Sequence, residues 1–389
     1  MNNTWLVAAQ WVALALAGGL LAGWTGISIS LVEIMVGVIG GNFLGLATNQ
    51  WVDFLAGFGS ILLTFLAGAE VDPRVLRSRF KECASIGFVA FLLPFLGALA
   101  YTYYLAGWSL PAAEIAGIAL STTSVAVVYA VMVETGLNET ELGQVILAAC
   151  FINDLGTVVA LGVLFANFNS WMLLFVAVTA VVLAFLGRFT RWFFATYGNR
   201  VSQLEVKYVF LLLLFLGGLA TKANSEAVLP AYLLGLAVAG FFLQEKDLLY
   251  RLRSMAFAVF TPFYFLKAGL FVSLPAVVVG AGIILVALLV KMVTKFIGVW
   301  PATRLFRFKS REGMYTTLLM STGLTFGTIS SLFGLTHGII NQGQYTILVA
   351  VVILSAVVPT LIAQAFFRPD TEEARSAHLE AQTILAEEE

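Results

Sequence analysis

Charge is scarce in this chain of 389 residues: 11% are Asp, Glu, Lys or Arg, against 60% hydrophobic. With a mean hydropathy of +0.95, it has too little polar surface to cover itself, which excludes a water-soluble globule and leaves an all-α polytopic membrane protein. Basic residues do not exceed acidic ones, 21 against 22, so no overall field would attract nucleic acid, and none is expected as a partner. Two cysteines, Cys83 and Cys150, are too few and too apolar in setting for a disulfide framework or metal cluster. Two histidines, His337 and His378, argue against a histidine-rich metal site. No His-Glu-x-x-His run supports a zinc enzyme, and no glycine-rich phosphate loop follows a strand, so a nucleotide-binding regulatory part is expected to be absent or lost to truncation; no enzyme and no cofactor are expected. The N-terminal MNNTWLVAAQWVALALAGGLLAG lacks a basic lead-in and reads as a first spanning helix, not a cleaved signal.

Taking about 20 apolar residues per crossing, thirteen spans are expected near residues 5–23, 27–47, 51–70, 83–105, 111–133, 142–166, 170–188, 206–221, 226–244, 255–273, 276–302, 311–333 and 344–367. Seventeen of the 21 basic residues follow odd-numbered spans. By the positive-inside rule this puts the N-terminus outside and the C-terminus in the cytoplasm of a multi-pass cell-membrane protein. The acidic loop ETGLNETE after the fifth span faces the cytoplasm on this count, and acidic residues weigh little in the rule. Residues 1–367 are read as the transmembrane domain and 368–389 as a short acidic cytoplasmic tail, solvated or disordered.

Within the sixth span, VILAACFINDLGTVVALGVLF carries a single charge, Asp154, and an ionisable group at bilayer depth is functional by default because burying it is costly. The fifth span is interrupted by Ser121, Thr122, Thr123 and Ser124, and the twelfth by Ser321-Thr322-Gly323-Leu324-Thr325-Phe326-Gly327. If the seventh span is a pivot, both interruptions fall fifth in their half. Polar breaks at matching places point to inverted repeats with two unwound helices around a midplane site. TFLAGAEVDP in the third span and YFLKAGLFVSL in the tenth are a weaker echo. Desolvation favours the neutral form of a carboxyl and an approaching cation the ionised form, so Asp154 can hold a proton or an alkali cation, but not both at full strength. Under alternating access that competition couples the two movements. Hydroxyls and freed carbonyls at Thr123 and Ser124 would supply hard oxygen ligands. Asn153 adds no titrating charge and is expected to hydrogen-bond the broken helix ends.

Four segments in this order and spacing, LVEIMVGVIGGNFLG, LLTFLAGAEVDP, STTSVAVVYAVM and ILAACFINDLGTVVAL, resemble the monovalent cation:proton antiporters, closest to the branch of thirteen-helix sodium/proton exchangers and potassium-efflux transporters. The resemblance implies a homodimer with a dimerisation part and a mobile core, here around 83–166 and 255–367, and a cation and proton site at Asp154. It further implies one-for-one electroneutral exchange, because Asn153 stands where electrogenic relatives have aspartate. Those relatives carry a lysine matching Lys291 that pairs with that aspartate. In this chain Lys291 is left to neutralise helix C-terminal dipoles or to pair with Asp154. Many relatives have Arg-Gly-Glu in the broken twelfth span where this chain has uncharged STGLTFG, so the choice between sodium and potassium cannot be carried over.

The other intramembrane charges have simpler readings beside functional ones. Lys295 is expected to snorkel toward the interface near Arg304. Lys267 is either a core-facing charge that tunes the site or a snorkeller at the outer end. Glu70 is either a solvated helix-end acid or a group that admits cations or senses pH, and Glu33 a buried structural hydrogen bond or a functional acid. The alternative to an antiporter is a proton-coupled symporter of a small organic anion held by Lys291 and half-helix N-termini. An intramembrane aspartyl protease would need a second midspan aspartate, and a channel would need a ring of charges or carbonyls.

Overall fold

The computed structural model describes residues 4–25, 27–69, 73–165, 170–198, 203–223, 228–242 and 245–369, and among them the ordered elements are helices. Thr4–Thr25 (α1), Ile29–Phe43 (α2), Gln50–Ala69 (α3) and the short Pro73–Ser78 (α4) come first. Phe80–Ala100 (α5), extended by a wide turn to Leu105, precedes Leu110–Ser121 (α6), Val125–Thr135 (α7) and Glu141–Phe165 (α8). Ser170–Tyr197 (α9), Leu204–Lys222 (α10) and Val228–Phe242 (α11) follow. Lys246–Met255 (α12) and Thr261–Leu270 (α13) run on through a wide turn at Ala256–Phe260. The remaining helices are Leu274–Val279 (α14), Ala281–Leu305 (α15), Ser310–Met320 (α16), Thr325–Thr336 (α17) and Gln342–Ile362 (α18).

Ten helical segments are long and apolar enough to cross a membrane, and α2 and residues 230–242 are shorter apolar helices. With the α12–α13 helix they occupy the thirteen expected places. The eleventh span begins at Ala281, later than its sequence suggests, because α14 stops at Val279 and Gly280 separates it from α15. Burial separates the lipid-facing helices from the interior. Trp5 and Trp24 of α1 are open at 85% and 81%, whereas every residue from Ile115 to Met132, across α6, the break and α7, is buried.

Two groups of helices enclose that buried segment. In the first, α3 packs on α11 and α2 on α13. Glycine makes both crossings possible: a Cβ at Gly37 would collide with Leu266 O and one at Gly269 with Ile34 O, while Gly68 faces Tyr232 O and Gly235 faces Phe65 O. Without a hydrophobic driving force in lipid, such backbone proximity is what holds membrane helices together. In the second group α5 packs on α6, α8 and α15, and α17 and α18 close on α6 and α15. Residues 261–270 therefore sit with α2 and α3, not with the helices after residue 280 as the sequence grouping had them; the glycine contact with α2 decides this. Lys267, at the end of α13, makes an ion pair with Asp53 of α3 at 2.8 Å.

Gly68→Ala is expected to lower the thermal unfolding midpoint in detergent, by about 1–3 kcal/mol of stability for forced overpacking. Gly57→Ala in the same helix, where a Cβ meets nothing within 4 Å, should leave the midpoint unchanged. Equal effects from the two would contradict the packing argument.

Candidate functional site

The two interruptions expected from sequence are real breaks, and hydroxyls make them. At the first, Ser121 Oγ donates to Ile118 O (2.9 Å) and Thr122 Oγ1 to Ala119 O (2.9 Å), capping the last carbonyls of α6. Thr122 then turns the chain to extended geometry, and Ser124 restarts the helix by accepting from Val127 N at 3.4 Å. The second repeats the chemistry: Ser321 Oγ donates to Thr317 O (2.7 Å) and Thr322 Oγ1 to Leu319 O (2.8 Å). Side-chain bonds of this kind compete with the helix ladder, and that is how Ser and Thr end a helix. The breaks also bind each other, Thr123 Oγ1 donating to Met320 O at 2.8 Å and Ser124 N to Thr322 Oγ1 at 3.5 Å.

Helix α8 presents Asn153 and Asp154 to this crossing. Asn153 Oδ1 accepts from Thr123 N at 2.8 Å, and its Nδ2 donates to Ser121 O at 3.2 Å, so one amide ties both sides of the first break. Asp154 is 3% exposed, and its Oδ1 has no hydrogen-bond partner among the described residues.

Two lysines reach the crossing from α15, both fully buried. Lys291 Nζ donates to Thr122 O at 3.2 Å, the carbonyl just beyond the end of α6. Gly323 leaves room for it: a Cβ there would run into Lys291 Nζ and lie 3.1 Å from Thr122 Oγ1. Lys295 Nζ donates to Thr123 Oγ1 at 2.9 Å. Lys295 does not snorkel to the interface, contrary to expectation, because one helical turn beyond Lys291 puts it on the same buried face of α15. Neither lysine makes a salt bridge with Asp154 among the described residues. Thr325 Oγ1 lies 3.3 Å from Ser124 Oγ and 2.6 Å from Tyr264 OH, which links α13 to both breaks.

Of the residues singled out in the sequence, Asp154, Asn153, Thr122, Thr123, Ser124, Ser321, Thr322, Gly323 and Lys291 converge here. Lys267 does not, being paired with Asp53. Glu70 lies outside the described residues. Glu33 is 2% exposed, and its Oε2 lacks the hydrogen bond a structural role would give it. Lys295, Thr325 and Tyr264 were missed as site residues. For Lys295 the signal was its four-residue spacing from Lys291; for Tyr264, nothing local sets it apart.

A profile of the family described as "Sodium/hydrogen exchanger, transmembrane" matches residues 12–368. The chain is 25% identical over 351 residues to the probable Na(+)/H(+) antiporter 3 of Methanocaldococcus jannaschii, with 87% of this chain and 89% of that protein covered. It is 22% identical over 377 residues to the Na(+)/H(+)-K(+) antiporter GerN of Bacillus cereus, with 92% and 96% covered. Among solved structures, the sodium proton antiporter MjNhaP1 from Methanocaldococcus jannaschii is similar in fold, with a TM-score of 0.64 at 15% identity over 94% of this chain and 100% of that chain.

Asn153→Ala is expected to leave Thr123 N–H and Ser121 C=O buried without partners, costing about 1–3 kcal/mol for each group. The check is the unfolding midpoint in detergent; no change would mean that the amide is not what joins the break.

Proposed function

We propose that this chain, which belongs to the sodium/hydrogen exchanger family, exchanges a monovalent alkali cation, sodium or potassium, for protons at Asp154 by alternating access. It is a cation/proton antiporter of a transporter family and not an enzyme. The observation that carries the reading is a buried carboxylate with an unpartnered oxygen beside two crossed helix breaks. Family membership sets aside the organic-anion symporter as the working alternative.

The chemistry follows from a shortage of partners. An isolated buried carboxylate is expensive, and a proton or a cation each relieves that cost. Thr123 Oγ1 and Ser124 Oγ stand on the first break, with the positive ends of α7 and α17 and the negative ends of α6 and α16 meeting beside them. Lys295 Nζ donates to the Thr123 hydroxyl. A cation recruiting that oxygen would share it with Lys295, whose positive charge opposes a second cation there. Lys291 stays on Thr122 O and offsets the α6 C-terminus. Asn153 contributes hydrogen bonds and no charge, which supports one-for-one electroneutral exchange.

The packing supports an inverted-repeat plan. If spans 1–6 correspond to 8–13, the α3–α11 contact maps onto α13–α2, and each of the two rests on glycines facing backbone carbonyls. In this reading α1–α3 and α10–α13 form the stationary, dimer-forming part of a homodimer, and α5–α8 with α15–α18 the mobile core. The N-terminus lies outside and the C-terminus in the cytoplasm.

The test is reconstitution in liposomes with an imposed pH gradient and a fluorescent pH reporter, followed by sodium, potassium, lithium or choline chloride. Dequenching by one or more alkali cations, independent of clamped voltage and abolished in Asp154→Asn, is the expected result. Folded protein that responds to no cation would contradict it.

A further inference from the structure

A second group of acids lies away from Asp154, where α7 ends against the start of α2. Glu134, in the last turn of α7, accepts from Ile29 N at 3.1 Å and Ser30 N at 3.4 Å, the first amides of α2. Ser28 and Ser30, their hydroxyls 2.7 Å apart, flank these amides. These donors and the helix dipole offset one negative charge. Glu33 follows Ser30 by three residues and Ile29 by four, so it stands on the same face of α2, within electrostatic range of Glu134. It is 2% exposed, Gly18 of α1 covers its Cγ, and its Oε2 is buried without a partner.

We propose that Glu33 and Glu134 form a second proton-binding site, on the α2–α7 contact and separate from Asp154, whose occupancy sets how exchange responds to pH on the side where α7 ends. Two carboxylates cannot both stay charged at this spot. The donors around Glu134 serve one charge, and the described groups on the packed helices offer none for Glu33. Helix α1 has no titratable side chain. On α13, Lys267 is paired with Asp53 and Tyr264 bonds Thr325. Helix α18 brings Tyr345, α3 brings Asp53, α7 itself Tyr129, and α8 brings Cys150, Asp154 and Glu141, the last held by Arg79 at 2.6 Å. Beyond the end of α7 stand Glu139, Tyr315 of α16, and Arg368, whose Nη2 donates to Thr135 O at 3.3 Å and makes no ion pair with Glu134 among the described residues. A proton on Glu33 removes the repulsion and lets the contact close. Its loss leaves two like charges facing each other and opens the contact.

The site has mechanical leverage in the exchange cycle. Helix α7 begins just after Ser124, on the crossing, and carries Glu134 in its last turn; at about 1.5 Å per residue, one rigid rod of roughly 15 Å joins the proposed cation site to this contact. Closing or opening the contact therefore bears on the α7 end that carries Thr123 and Ser124. This regulatory half rests on the exchange reading above; the proton site does not.

The direct test is infrared spectroscopy of the purified protein through a pH titration. A protonated-carboxyl C=O band present in the wild type and in Asp154→Asn is expected to disappear in Glu33→Gln. Should that variant not fold, Glu33→Asp is expected to move the band. In vesicles, Glu33→Gln should keep its maximal rate and shift one limb of the rate–pH profile by about one unit, the scale of a neighbouring-charge effect. A Glu33→Gln protein that retains every protonated-carboxyl band overturns the proposal. A wild type that loses the band in Glu33→Gln yet moves no cation upholds the proton site and sinks the exchange reading alone.

Discussion

Lipid offers no hydrogen bonds, so every backbone group freed by breaking a helix inside the membrane has to be satisfied by the protein. The two breaks at residues 122–124 and 322–324 draw for this on their own hydroxyls, on each other and on two further side chains. Serine and threonine hydroxyls cap the ends locally, Asn153 spans the first break, and Lys291 takes the Thr122 carbonyl. Once these obligations are filled, Asp154 is what remains with an oxygen unspent. The site is thus defined less by what binds Asp154 than by how thoroughly its neighbours are already committed.

That arrangement has a consequence for coupling. In the proposed exchange, Lys295 and a bound cation would draw on the same hydroxyl, Thr123 Oγ1, and a proton and a cation on the same carboxylate. Both competitions run through groups that sit on or beside the first break, whose distal half is α7. On that reading, a charge event at Asp154 would bear on a helix whose far end carries Glu134.

Much of this was legible in the sequence, for identifiable reasons. Hydropathy alone located the apolar helices, because the bilayer dictates their length. Hydroxyl clusters announced the breaks because side-chain capping is a local event. An isolated Asp154 stood out because charges are rare at that depth. The misses were all non-local. Lys295 had a short route to the interface on paper, yet the packing of α15 turns it inward. Lys267 found Asp53 more than 200 positions earlier in the chain. The tenth span joined α2 through Gly37 and Gly269, and Glu134 met the first amides of α2 more than 100 positions earlier. Such pairings depend on which faces meet, and no window of sequence contains both partners.

The central claim is that one carboxylate holds either the proton or the cation. It is tested most directly by the apparent KM for the transported cation as a function of pH in vesicles, with maximal rate measured in parallel. Competition at Asp154 predicts a KM that rises, by up to about tenfold per pH unit, as the medium is acidified through the proton's binding range, at constant maximal rate. A KM that stays flat while the maximal rate changes would mean that proton and cation occupy different groups, and would contradict the account.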